Sequence, residues 1–436
     1  MTINQYSTFK YKGYIENLIF VNHEEDSDLK VESSIVKELN KKEVSPPIKL
    51  SELIVSGCED SIFTYSIKTI KFNDTFNEAM NNIKFLDSVK SLEFGSLFNQ
   101  SLDGGWLPTK IESLKFGISF QQNINNNVLP ESLENLYLCN EYKGIIMAGS
   151  IPSKVKNLDY TAKLNLSIPI PISTINLKFE DTYNAIIKEG YIPHNVENIE
   201  FNEEFNREIK PGSLPPSVRS IKFSPKFNQS IRGVFQVNVL PANLKNLEFG
   251  LEFNQPLTAA MLPTSLTSIK FGNNFNPLLS SSMTGLFLHT NLVSLEFGNQ
   301  FKAIIPTTTL PSKTLTHLNL GGFNENLSML KDTFNECESL KSLVLENFNQ
   351  YIKPGDLPSN LTFLSLGSTF DKPIEKDILP FTLKVLEIKN SKYSHQLIQN
   401  NLPKSLDKLI IYFGTASLLN NFSVDYFCNK ITKIKL

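Results

Sequence analysis

The chain has 436 residues, 41% of them hydrophobic and 20% charged, with a formal net charge of −2. That apolar content excludes a disordered chain, and the near-neutral balance excludes nucleic-acid binding through a generally basic surface. No run of 18 apolar residues occurs, so no membrane-spanning helix is expected, and the first 30 residues lack the apolar core of a signal peptide.

Residues 1–49 open with one strand-like stretch, Tyr14 to Val21. An acidic run follows from His23 to Asp28, without the ligand spacing of a calcium loop. Leu29 to Lys42 then shows the pattern of a short amphipathic helix. This segment is expected to cap what comes next.

From residue 50 to 411 the chain repeats itself. VKSLEFGSLFNQSL begins at Val89, LKNLEFGLEFNQPL at Leu244 and LTSIKFGNNFNPLL at Leu266. The skeleton is an aliphatic residue, two polar ones, an aliphatic, one variable residue and Phe, with Phe-Asn four residues on. Leu-Pro usually stands ahead of it, as at Leu107-Pro108 and Leu262-Pro263. The sixth slot recurs 18 times from Val55 to Leu436, most often 22 residues apart, and nine of its occupants are Phe. A period this short suits one strand and a return path, not a propeller blade or a helix pair. Alternation places slots four and six on one side of the strand and three and five on the other. Pro suits the turn into a strand, because it has no N–H to give to a ladder. The return paths, broken by Pro, Asn and Gly, do not read as regular helices.

The unit LPxSLxxLxFGxxFNQPI, best matched from Glu248 to Leu257, resembles the FNIP repeat, itself similar to the leucine-rich repeat. The resemblance implies a leucine-rich-repeat-like horseshoe, and the repeat itself reads as a β-rich solenoid of about 18 turns. It would have one parallel sheet on the concave side and mostly irregular or 3-10 convex segments. It also implies protein–protein interaction, and it carries over no catalytic residue.

The Asn after the second Phe returns as Asn77, Asn99, Asn206, Asn228, Asn254 and Asn276, among others. One amide per turn at a fixed slot is expected to form a buried ladder that satisfies loop backbone groups of adjacent turns. Asn99 and Asn228 also stand in glycosylation sequons, and the ladder is the preferred reading. Slot five alternates in sign from Lys71 and Glu93 to Lys270 and Glu296, which suits pairing between stacked parallel strands. After Glu296 the outward slots change character, to His317 and Asn319 and then to apolar residues. Val344, Phe363, Val385 and Ile410 fall on four successive strands and one face, rimmed by Lys341, Lys384, Glu387 and Lys408. They are the candidate contact surface for a protein partner or a second copy, with Phe363 as the central anchor. The alternative is that residues 412–436 cover this patch.

Residues 412–436 are expected to form the C-terminal cap, with a helix from Ser417 to Asn429 and a last strand from Ile431 to Leu436. The five histidines fall in different turns, and no nucleophile, zinc or phosphate-loop motif occurs. Cys139 stands where Gly follows the sixth slot elsewhere and reads as a turn residue. With Cys58, Cys337 and Cys428 it is expected to be a reduced thiol in the cytoplasm. The favoured function is a non-enzymatic interaction scaffold with no cofactor, no metal, no nucleic acid and no membrane. The alternative is an enzyme or small-ligand-binding module with its site in an irregular turn, 139–175 or 278–291.

Overall fold

The computed structural model describes residues 15–22, 65–80, 85, 89–139, 142–147, 149–160, 170–179, 181–232, 239–277, 283–413 and 431–435. The turn around Val55 and the expected helices at 29–42 and 417–429 lie wholly or mostly outside these residues. The chain divides into two compact units, Met1–Tyr183 with Pro193–Val196, and Asn184–Ile192 with Glu197–Leu436.

In the first unit, β1 (Ile15–Asn22) runs antiparallel to β2 (Tyr65–Phe72). It is therefore not another parallel rung. From β2 onward the pairing is parallel and in register through β3 (Ser91–Glu93), β4 (Ser113–Lys115), β5 (Asn135–Tyr137), β6 (Asn157–Tyr160) and β7 (Asn176–Phe179). The second unit continues the pattern with β8 (Asn198–Phe201), β9 (Ser220–Lys222), β10 (Asn246–Glu248), β11 (Ser268–Lys270), β12 (Ser294–Glu296) and β13 (His317–Asn319). There follow β14 (Ser342–Leu345), β15 (Phe363–Leu366), β16 (Val385–Ile388), β17 (Lys408–Phe413) and β18 (Ile431–Lys435). The last strand thus has its partner in β17. About 14 turns are seen, fewer than the 18 expected. The fold is a leucine-rich-repeat-like parallel solenoid. No described helix is long and apolar enough to cross a membrane.

The core is built from the repeat. Slot one (Val89, Leu244), slot four (Leu92, Leu247), slot six (Phe94, Phe249) and the Phe before Asn (Phe98, Phe253) are all buried. Rings of the two Phe positions stack within a turn, at 4.0 Å for Phe94–Phe98 and 3.9 Å for Phe249–Phe253. They stack again between turns, at 5.7 Å for Phe94–Phe116 and 5.4 Å for Phe249–Phe271. Such offset contacts add to plain burial. The Leu-Pro turn closes when the proline carbonyl accepts from the slot-one N–H, as Pro108 does from Ile111 at 3.1 Å. Proline thus supplies only the acceptor it has.

Glycine after slot six is needed for close approach. A Cβ on Gly250 would collide with the Ser224 carbonyl, and one on Gly272 with the Gly250 carbonyl. Cys139 and Ser224 occupy this slot in other turns, buried, with Cys139 Sγ donating to Phe120 O at 3.0 Å and Ser224 Oγ to Phe205 O at 2.6 Å. The return paths are mostly turns, with short 3-10 segments at Ala259–Met261, Leu327–Leu330 and Gln399–Asn401. One α-helix, α1 (Lys331–Glu336), was not expected from the sequence. It occupies one of the longer returns and buries Thr333 and Phe334.

Candidate functional site

The side of the sheet away from the Phe core carries slots three and five. Along much of its length it pairs with itself. Glu93 lies 4.0 Å from Lys71 and 2.9 Å from Lys115, Lys222 lies 2.9 Å from Glu200, and Lys270 lies 3.7 Å from Glu248. Slot two adds a parallel row that the sequence reading missed, with Lys90–Glu112 at 2.9 Å and Lys156–Glu134 at 3.0 Å. In slot three, the Asn157 amide donates to Asn135 and the Asn176 amide to Asn157.

The Asn slot likewise serves the turns. Asn77 Oδ1 accepts from the backbone N–H of Asn99 at 2.8 Å, and Asn99 Oδ1 from that of Gln121 at 2.9 Å. In the second unit Asn206, Asn228 and Asn254 each accept from the corresponding N–H of the next turn at 3.0 Å, as Asn276 does from Lys302. These residues are half-buried or exposed, not buried as the sequence suggested. The amide oxygen points back along the loop edge, where the backbone donors lie.

At β12 the pattern changes. Slot three runs Ser294, His317, Ser342, Phe363, Val385 and Lys408 across β12–β17, and slot five runs Glu296, Asn319, Val344, Ser365, Glu387 and Ile410. Val344, Phe363, Val385 and Ile410 are all half-buried and share this face. A concavity of about 290 Å³ opens over β12–β16, and Val344 and Phe363 line it. Val385 and Ile410 do not. Val385 lies beside Phe363 and Lys408, and Ile410 lies beside Glu387. Of the expected rim, Glu387 lines the concavity, whereas Lys384 is 3.6 Å from Asp407.

Apart from Leu295 and Leu318 the rest of the lining is polar, and within it Glu346 and Lys389 were not singled out from the sequence. Glu346 and Lys389 form an ion pair at 2.9 Å that spans two turns. Both stand in the slot after the sixth, and between them Gly367 packs its backbone against Glu346. Charged residues in a slot that elsewhere needs Gly were the available signal. Partial burial opposes the Lys389 charge, but the hydrogen bond to Glu346 and the nearby carboxylates outweigh it, so its pKa is raised. Glu387 accepts from Ser365 Oγ at 2.6 Å and from Tyr412 Oη at 2.9 Å. That second bond raises the Tyr412 pKa above the usual phenol value. His317 bonds through Nδ1 to Thr316 Oγ1 at 2.6 Å and leaves its outer edge exposed.

The two irregular turns proposed for a small-molecule site look like packing where they are described. In the first, Tyr142 is buried and donates to Gln122 O at 2.6 Å. In the second, Met283, Leu286 and Phe287 are buried and His289 Nε2 lies 2.8 Å from Leu262 O. No group of His, Cys, Asp or Glu among the described residues is placed to hold a metal ion. Burial pushes the Cys337 thiol up to about 11, so it is protonated at neutral pH.

A family model described as FNIP Repeat matches residues 98–141, 120–159, 165–204, 205–252, 253–283, 338–369, 348–391 and 370–413. A comparison with curated protein sequences finds no match. Among solved structures the chain is similar to CroV588, described as a novel circular LRR protein. The two are 25% identical with a TM-score of 0.55, over 85% of this chain and 63% of that one. This chain therefore spans less than two thirds of that protein's length. It is also similar to YopM from Yersinia enterocolitica WA-314, 15% identical with a TM-score of 0.37, over 84% of this chain and 91% of that one.

Proposed function

The chain belongs to the FNIP-repeat family and folds as a leucine-rich-repeat-like solenoid, and from that premise we propose that it is a non-enzymatic interaction scaffold. Its partner is a protein, or a second copy of the chain, held on the outward face of β12–β17. The observation that supports this is the change of character after Glu296. Strands that answer each other's charges give way to strands carrying Val344, Phe363, Val385 and Ile410 among polar groups. Half-buried apolar anchors ringed by polar side chains are the usual core of a contact surface. The proposed setting is the cytoplasm, in keeping with Cys139 and Cys337 as free thiols.

The test is Phe363→Asp, compared with the unsubstituted chain by quantitative affinity capture from the source cells and by sedimentation. Phe363 is only half-buried, so the variant folds, and it loses the captured partner or the self-association. A folded variant that keeps every association removes this face from the function.

A further inference from the structure

Resting on the reading of that face as a contact surface, the charge accounting within the concavity identifies its occupant further. Three carboxylates (Glu296, Glu346 and Glu387) and one ammonium (Lys389) line it. Glu346 is answered by Lys389, and Glu387 by the Ser365 and Tyr412 hydroxyls. Glu296 is different. Lys270 is beside it in register, yet the Lys270 ammonium is 3.7 Å from Glu248 instead. Among the described residues nothing donates to the Glu296 carboxylate, which is half-buried at the β12 end of the concavity. Toward the other end stands Phe363 on β15, a half-buried aromatic ring.

We propose that the concavity takes an extended protein segment that sets an arginine on Glu296 and an apolar side chain, four residues away, against Phe363. The spacing follows from the sheet. Three strand steps of about 4.8 Å and a two-residue offset along the strand separate Glu296 from Phe363, or roughly 16 Å; four extended residues at roughly 3.3 Å each cover about 13 Å of it, and the long arginine side chain reaches the rest. Residues i and i+4 then point to the same side, as two anchors on one floor require. A carboxylate with two open oxygens fits the planar fork of a guanidinium better than the point charge of an ammonium. Three carboxylates against one ammonium leave an excess of two negative charges, which attracts a basic segment and disfavours an acidic one. With a volume near the lower end of ligand pockets, roughly 300 Å³, the concavity has room for side chains laid on a sheet but not for a large cofactor.

The probe is an acetylated heptapeptide with arginine and leucine four residues apart in an alanine background, titrated calorimetrically against the full chain. Its control replaces arginine with citrulline, which keeps the shape and removes the charge. Saturable binding is expected for the arginine peptide, weakened roughly ten- to hundredfold by the citrulline exchange and by Glu296→Gln. Equal binding of the two peptides, or no saturable binding of either, overturns the proposal. The citrulline arm needs no altered protein, so it decides even where a variant folds poorly. If neither peptide binds while Phe363→Asp still loses its partners, the basic segment is wrong and the contact face stands. If Phe363→Asp loses nothing, the face itself is wrong.

Discussion

Phe249 sits between two like rings, 5.7 Å from Phe223 and 5.4 Å from Phe271, with Phe253 stacked on it at 3.9 Å. Truncating it removes one ring from a continuous column and leaves a cavity that stacked neighbours are poorly placed to fill. Phe249→Ala is expected to cost about 3–5 kcal/mol in urea unfolding, and Phe249→Leu distinctly less because it refills most of the space. A cost below about 1 kcal/mol for the alanine variant would mean that the column relaxes freely. The sequence reading reached this residue easily, because the same type returned at the same slot in turn after turn. It reached Val344 and Phe363 for the converse reason: each is apolar in a slot where other turns are polar. Glu296, Glu346 and Lys389 escaped it. Glu296 looked like one more member of an alternating row, and whether a partner answers it is decided by side-chain direction, which spacing does not report.

Glu93 shows what holds one strand against the next. It lies between Lys71 and Lys115 on the neighbouring strands, and the residues pair directly in register. Glu93→Lys sets three ammonium groups in a column and turns two attractive contacts into repulsive ones, each worth roughly 0.2–1 kcal/mol. The melting midpoint is expected to fall at low ionic strength and to recover in part as salt is raised. A midpoint that does not respond to salt would assign the row no part in stability. Parallel pairing and in-register stacking were legible at this scale, because a period of 22 with alternating slots admits little else. The antiparallel β1 was not, since a single strand outside the repeat gives no sign of its direction. Nor was α1, since Lys331–Glu336 is too short to establish a helical period.

At the scale of the repeats, each turn packs mainly against its neighbours, so turns are removable in principle and the charge row sets the permitted number. Deleting residues 250–271 joins Phe249 to Gly272 and brings Glu248 beside Glu296. Deleting residues 224–271 joins Phe223 to the same glycine and brings Lys222 beside Glu296. The larger deletion should therefore be the milder one, with the higher melting temperature of the two. The reverse order would show that turn number outweighs charge register. The loop-edge asparagines have a mechanical consequence as well. At four successive joints of the second unit the turns are fastened by the same kind of bond, an amide oxygen gripping one backbone N–H, at Asn206, Asn228, Asn254 and Asn276. Fasteners of equal strength in series have no weakest link within them, so under tension this run yields from one of its ends. It pays out 22 or 26 residues at a time, roughly 75–90 Å of slack per tug, and behaves as a ratcheted tether instead of a single brittle joint.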